Sequence, residues 1–415
     1  MIRGVAVVVA LCGSLAGQAH VAGAEGVIPF VTDGVLVGAG TTWGLVTVDV
    51  VGAPAQVNFG QTCEEAIGGA PRAFARVGGG GDEERTLVAS SAGIASTIDR
   101  GCTWSVVDGA AGLSVTALQP SRTTAGTLWA TTATFESDNA VLVSVDDGRS
   151  FTRAHGVDVG VLLTSLALAA DDRLIVGGVD TTTRTPLLLS SGASSAAGLV
   201  ALPVPAGAQL VRALVVDDEG LWFSTLDGIG RGHLFRAALD GLSAPVEVGS
   251  FDGIVTATAG FAGQRFAVAA GGVLHRAPPG EPRVFARTTE GPLTCLVRVD
   301  GDDRLWGCGA QPNGAWFKAT SDGEAWADVL RFDEVGEHAC PSTTPAAAAC
   351  AYRFALPPGP ADPDPVTDEP RPDRPTCACT QGSAADSVVV VVVVVLAIHR
   401  RRRPTYVGAG PRRSP

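Results

Sequence analysis

The stretch Val141-Leu142-Val143-Ser144-Val145-Asp146-Asp147-Gly148-Arg149-Ser150-Phe151 decides the fold. A short apolar strand runs into S-x-D-x-G-x-x-F, a pattern whose parts each do a different job in a tight turn. The carboxylate accepts bonds from free backbone N–H groups, glycine supplies a positive φ, and the aromatic ring packs beneath. The same pattern recurs with threonine for serine at Thr97, Asp99, Gly101 and Trp104, and one residue short at Thr320, Asp322, Gly323 and Trp326. These aspartates are read as holders of hairpin corners rather than as metal ligands or catalysts.

Working outward, an apolar pair follows a turn rich in Asp, Gly or Arg at Val35-Leu36, Leu87-Val88, Leu128-Trp129, Leu174-Ile175, Leu221-Trp222, Phe266-Ala267 and Leu305-Trp306. Taken as first-strand markers, Leu36, Leu87, Leu128, Leu174, Leu221, Phe266 and Leu305 are separated by 51, 41, 46, 47, 45 and 39 residues. Each unit then passes through small residues into a second apolar strand, as in PLLLSSG (186–192), HLFRAALDG (233–241) and AWFKATSDG (315–323). Short strands with no sustained helical period argue for an all-β fold. A repeat of this length, giving about four strands, marks a propeller blade. Seven units predict a seven-bladed β-propeller over residues 25–356, because one small sheet cannot bury both of its faces alone.

The turn pattern resembles the Asp-box of bacterial-neuraminidase-type (BNR) repeats, found in sialidases, sortilin-type receptors and many non-enzymatic propellers. For a sialidase, the resemblance implies an arginine cluster on the substrate carboxylate, a tyrosine nucleophile paired with glutamate, and an acid/base aspartate. This chain departs from that pattern. It has two tyrosines, Tyr352 near the end of the last unit and Tyr406 in the tail. The Arg-Ile-Pro signature survives only as Val27-Ile28-Pro29, where valine removes the charge-assisted clamp. The acidic clusters Asp217-Asp218-Glu219 and Asp300-Gly301-Asp302-Asp303 fall at turns and are read as solvated corners, although a paired-carboxylate hydrolase stays open. His155, His233, His275 and His338 show no metal-ligand spacing, the run Gly78 to Gly81 reads as a loop, and no catalytic or phosphate-loop motif appears. No metal and no cofactor is expected. Trp43, after the loop-like Gly38-Ala39-Gly40-Thr41-Thr42, is the best single contact candidate, with core packing the competing reading.

Charge narrows the partners. Seven of the 30 basic residues lie in 1–24 and 399–415, where no acid occurs, so the body carries 42 acids against 23 bases, a charge of −19. That field repels nucleic-acid phosphates and anionic lipid. Nucleic-acid binding is therefore not expected, and membrane contact only through the C-terminal segment.

The ends read as export and sorting. Arg3, the apolar run Val5 to Ala16, and Ala22 with Ala24 make a signal peptide over 1–24. Cys12 follows Leu11, which does not suit a lipid-attachment box. Eight cysteines remain, and an even number in an exported chain favours disulfides. Cys295 pairs with Cys308 across a hairpin, Cys340 with Cys350 around a Pro-rich loop, and Cys63 with Cys102 by remainder. A Pro- and Asp-rich stalk follows over 357–376. Then come Cys377 and Cys379, the run Val388 to Ile398, Arg400, Arg401, Arg402 and Arg403, and a tail over 404–415. Eleven apolar residues span about 16 Å as a helix, too little for a permanent anchor. The order of features over 377–403 resembles the MYXO-CTERM sorting signal of myxobacterial surface proteins, which implies a membrane sorting protease and delivery to the cell surface. A plain disulfide or free thiols before a tail anchor is the other reading.

The sequence thus favours binding over catalysis: an exported, surface-displayed propeller engaging a surface protein or polysaccharide. A sialidase-like glycoside hydrolase or lyase on the same scaffold is the alternative.

Overall fold

The structure is a computed structural model and describes residues 25–344, apart from 33–34, 43, 52–55, 64–66, 79–83, 136, 193–197, 240–242, 282, 289, 291, 300, 310–314, 332–333 and 338–339. The chain divides into two compact units, Met1–Ala361 and Asp362–Pro415. The expected signal peptide, stalk, sorting signal and tail lie outside the described residues, as do Trp43, His338 and Cys350.

Twenty-nine strands form seven sheets. Blade 1 is β1 (Gly26–Thr32), β2 (Val35–Thr41), β3 (Gly44–Val51) and β4 (Gln56–Cys63); blade 2 is β5 (Ala73–Val77), β6 (Arg85–Ser90), β7 (Gly93–Thr97) and β8 (Ser105–Val106). Blade 3 is β9 (Val115–Pro120), β10 (Leu128–Thr132), β11 (Ala140–Ser144) and β12 (Thr152–Gly156); blade 4 is β13 (Val161–Leu168), β14 (Leu174–Asp180), β15 (Thr185–Ser191) and β16 (Leu199–Ala201). Blade 5 is β17 (Leu210–Asp217), β18 (Gly220–Leu226), β19 (Arg231–Ala237) and β20 (Val246–Asp252); blade 6 is β21 (Val255–Phe261), β22 (Gln264–Ala269), β23 (Val273–Ala277) and β24 (Ala286–Arg287). Blade 7 is β25 (Leu293–Arg298), β26 (Leu305–Gly309), β27 (Ala315–Thr320) and β28 (Ala327–Arg331), and β29 (Val335–Glu337) follows.

Each blade is an antiparallel meander in chain order. First strands touch first strands all the way round, β1 to β5 through to β25 and back to β1, which closes a seven-bladed propeller. In such a meander the first-to-second and third-to-fourth turns share one end, here the lower. The remaining turns and the blade-to-blade connections share the upper end.

Burial explains where the sequence signal lay. Second strands β10 and β26 are buried at every position, while first strands β9 and β25 alternate and outer strands β8 and β24 are exposed. A strand covered on both faces by neighbouring blades reads as a continuous apolar run. The markers Leu36 to Leu305 therefore belong to second strands, not first strands, and the supposed second strands are third strands. The first strand faces the channel and needs fewer apolar residues.

The core is segmented. Seven apolar clusters occupy the seven seams between blades, such as Leu87 with Leu128 and Phe151 between blades 2 and 3, and Trp306 with Val46 between blades 7 and 1. Trp222, Trp306 and Trp316 are fully buried in them.

Closure corrects two cysteine pairings. Cys295 and Cys308 are bonded across the β25–β26 hairpin, as expected. Cys102 bonds Cys340 instead of Cys63, 238 residues apart in sequence with Cα atoms 5.4 Å apart. The physical reason is circular closure. After β28 the chain adds β29 in parallel to the outer edge of β4, pairing Val335 with Phe59, and so arrives beside the blade 2 turn that carries Cys102. Cys340 is thereby taken from Cys350.

Candidate functional site

The three motif turns sit at the lower end of blades 2, 3 and 7. Asp146 Oδ1 accepts from the Ser144 hydroxyl (2.7 Å) and the Ser150 N–H (3.0 Å), and Oδ2 accepts from the Ser150 hydroxyl (2.7 Å). The Ser144 oxygen in turn accepts from Gly148 N–H at 2.9 Å. Asp147 and Gly148 hold φ of 57° and 73°, and a Cβ on Gly148 would lie 2.3 Å from Leu87 of the preceding blade. Only glycine satisfies both demands. Asp99 repeats the arrangement with Thr97 and Thr103, and Asp322 accepts from Thr320 and from the N–H groups of Glu324 and Ala325. Phe151 is buried in the seam with blade 2, while Trp104 and Trp326 pack against the seams shared with blades 1 and 6.

These turns hold their carboxylates ionised. Desolvation pushes the Asp146 pKa up, but bonds from Ser150, Ser144 and Arg149 outweigh it and lower the group to about 2. Asp99 is lowered in the same way, and Asp322 is lowered first by the Glu324 and Ala325 N–H groups.

The other acidic turns are equally engaged. Asp217 and Glu219 of blade 5 clamp Arg265 of blade 6 at 2.9 and 2.8 Å. Arg265 is buried, its guanidinium carbon 3.8 Å from the centre of the Trp222 ring, and Trp222 Nε1 donates to Asp217. Asp302 accepts from Arg304 Nη2 (2.9 Å) and from Trp306 Nε1 (2.8 Å) and is lowered first by Arg304. Asp172 reaches from blade 4 to Ser121, Thr123 and the Arg122 N–H of blade 3. These carboxylates lie on separate blades and stitch turns and seams.

His155 and His275 lie on strands of blades 3 and 6, and His233 lies between Glu247 (2.8 Å) and Asp227 (3.3 Å). The Glu247 bond raises the His233 pKa most, against desolvation, with Asp227 adding to it. No grouping able to hold a metal occurs among the described residues.

The residues that sequence reasoning missed lie on the axis. Four first strands carry x-[V/L]-T-[A/S/C] at Val115-Thr116-Ala117, Leu163-Thr164-Ser165, Val255-Thr256-Ala257 and Leu293-Thr294-Cys295. In each, the threonine is the extra residue of a β-bulge. A bulge leaves a carbonyl unpaired on the facing strand, and the hydroxyls donate there: Thr116 to Thr131 (3.2 Å), Thr164 to Gly177 (3.3 Å), Thr256 to Val268 (3.3 Å) and Thr294 to Cys308 (3.3 Å). Thr116 also reaches Leu163 O of the next first strand (2.7 Å), and Thr294 reaches Gly26 O across the closure (3.3 Å).

Blades 2 and 5 differ. They read Pro71-Arg72-Ala73 and Val211-Arg212-Ala213, with arginine at the threonine's place. Blade 2 has no bulge, and that of blade 5 falls between Ala213 and Val215, so Arg212 pairs regularly with Ser224. With no carbonyl to satisfy, the position is free for another side chain.

Both arginines are exposed. Arg72 donates to Ser114 Oγ at 2.8 Å, whereas Arg212 has no partner among the described residues. Protein surrounds Arg212 closely enough for burial to lower its pKa. Exposure and close enclosure coexist only in a concave, water-filled place, which for an innermost strand is the channel. Glu25, one residue before β1, is likewise raised by burial with no side-chain partner among the described residues.

No known protein family and no curated protein matches this sequence. Among solved structures the chain is similar to an ancestral GH74 enzyme at 10% identity and a TM-score of 0.54, covering 74% of this chain and 46% of that one. This chain thus spans under half the length of that enzyme. A GH74 xyloglucanase from Xanthomonas campestris aligns at 14% identity and a TM-score of 0.41 over 68% of this chain and 56% of that one. A protein from Lactobacillus plantarum aligns at 14% and 0.47 over 76% and 96%. At these identities the likeness establishes the propeller fold and nothing finer.

Proposed function

We propose that the protein is a non-enzymatic binding module displayed at the cell surface, with the upper mouth of its channel as the contact site and a surface protein or polysaccharide as ligand. One observation carries the reading. The carboxylates of the lower turns are engaged by hydroxyls, N–H groups and arginines, whereas Arg212 and Glu25 at the mouth are desolvated and unpartnered. Charged groups shifted towards neutrality beside a channel are a functional-site signature, and those bonded into turns are not.

The turn geometry around Asp99, Asp146 and Asp322 supports reading them as Asp-boxes of the BNR kind, which are structural and common to enzymes and binders. Export by the 1–24 segment, a stalk over 357–376, and sorting through Cys377, Cys379 and Arg400 to Arg403 complete the proposal. The fold-level likeness to the GH74 enzyme favours one other reading, a glycoside hydrolase, which requires two carboxyl groups about 5 to 9.5 Å apart. The test is capture of glycans and surface proteins by the full chain beside hydrolysis assays on sialosides and plant glycans. Saturable capture without turnover is expected, and robust turnover overturns the reading.

A further inference from the structure

We infer that Arg72 and Arg212 form an axial receptor for a singly charged carboxylate, set in the ring of first-strand positions that Thr116, Thr164, Thr256 and Thr294 occupy in the other blades. The inference rests on the binding reading above and names the ligand class of that site.

Three observations converge on the ring. Blades 2 and 5 are three steps apart, so the two guanidinium groups enter the channel from nearly opposite walls, about 154° apart for seven equal blades. Neither arginine repairs a bulge, which the threonines do, so the substitution serves no evident purpose in the ladder. Most other arginines of the described body have a carboxylate partner, for example Arg173 with Asp171, Arg265 with Asp217, Arg304 with Asp302 and Arg331 with Asp328. Arg212 is left with its charge desolvated and unanswered, an arrangement that costs stability unless a ligand supplies the counter-charge.

The class of anion follows from the surroundings. A planar guanidinium binds a carboxylate through two parallel N–H···O bonds. A body charge of −19 penalises a dianion or polyanion more than a single carboxylate on an otherwise neutral ligand. Glu25, biased towards its neutral form one residue before β1, donates a bond to such a ligand rather than repelling it. A uronic acid unit and the C-terminal carboxylate of a peptide both carry this chemistry.

The test is saturation-transfer NMR on the full chain with sodium glucuronate, N-acetylalanylalanine and sodium sulfate at fixed ionic strength. Arg212→Thr is the decisive variant because it installs the residue that four other blades carry, so it should fold and melt at or above the wild type. Binding of at least one of the two carboxylates is expected, with sulfate weaker, a loss of about tenfold or more in Arg212→Thr, and a smaller loss in Arg72→Thr. The tighter of the two carboxylates assigns the source. Wild-type binding retained in Arg212→Thr, sulfate as tight as the carboxylates, or no binding of either carboxylate overturns the inference. Capture of glycans or surface proteins equally well by wild type and Arg212→Thr overturns the inference and leaves the binding reading standing, whereas glycan hydrolysis overturns the binding reading itself.

Discussion

The lower turns and the upper channel mouth of this propeller use the same kinds of side chain to opposite ends. In the turns, carboxylates meet donors within one hairpin or across one seam, and Asp99, Asp146, Asp302 and Asp322 are all driven towards ionisation. At the mouth, Glu25 and Arg212 are driven towards neutrality by burial. The difference teaches that charge in this molecule cannot be read by residue type. A saturated carboxylate is part of the scaffold, and an unsaturated one is available to a ligand.

The sharpest way to break that division is at Asp302, whose side chain is 1% exposed. Asp302→Ala strips Trp306 Nε1 and Arg304 of their acceptor together, and a loss of about 3 kcal/mol is expected in thermal or denaturant unfolding. Next comes the clasp between the blade 2 turn and the chain end. Cys340→Ser should cost about 2–4 kcal/mol and expose the segment after β28 to proteolysis, whereas a change under about 0.5 kcal/mol would mean that the β29–β4 pairing closes the ring alone.

Asp146→Ala should cost about 1–2 kcal/mol through lost turn bonds. Its pH dependence has a definite sign. A folded pKa of about 2 against a model value of 3.8 gives stability that is fully present above the unfolded pKa and lost as pH falls through 3.8 towards 2. The wild type should lose that increment in acid, and Asp146→Ala should not. The smallest effect belongs to Glu25. Its raised pKa makes the folded state slightly less stable as pH rises from the model value of 4.5 through the folded value. Glu25→Gln should therefore flatten the stability profile there by under about 1 kcal/mol, measured by melting across pH 4 to 8.

Much of the fold was legible because buried second strands print a continuous apolar signal, and Leu36 through Leu305 counted the blades correctly. The same signal misplaced the strands by one, since a channel-lining first strand such as Val115–Pro120 alternates weakly. Cys102 and Cys340 were not pairable from spacing, because ring closure brings distant segments together regardless of their separation. The corner aspartates were readable from local chemistry alone. The axial arginines were not, because an arginine in Val211-Arg212-Ala213 looks ordinary until it is aligned with Val115-Thr116-Ala117 on a strand whose position in the blade is known.

The division of labour is tested most directly by measuring melting temperature and carboxylate affinity in Asp146→Ala and Arg212→Thr side by side. Asp146→Ala should melt lower with affinity intact, and Arg212→Thr should melt no lower with affinity lost. The opposite pattern, with binding abolished in a folded Asp146→Ala and preserved in Arg212→Thr, would place the ligand at the turns and contradict the account.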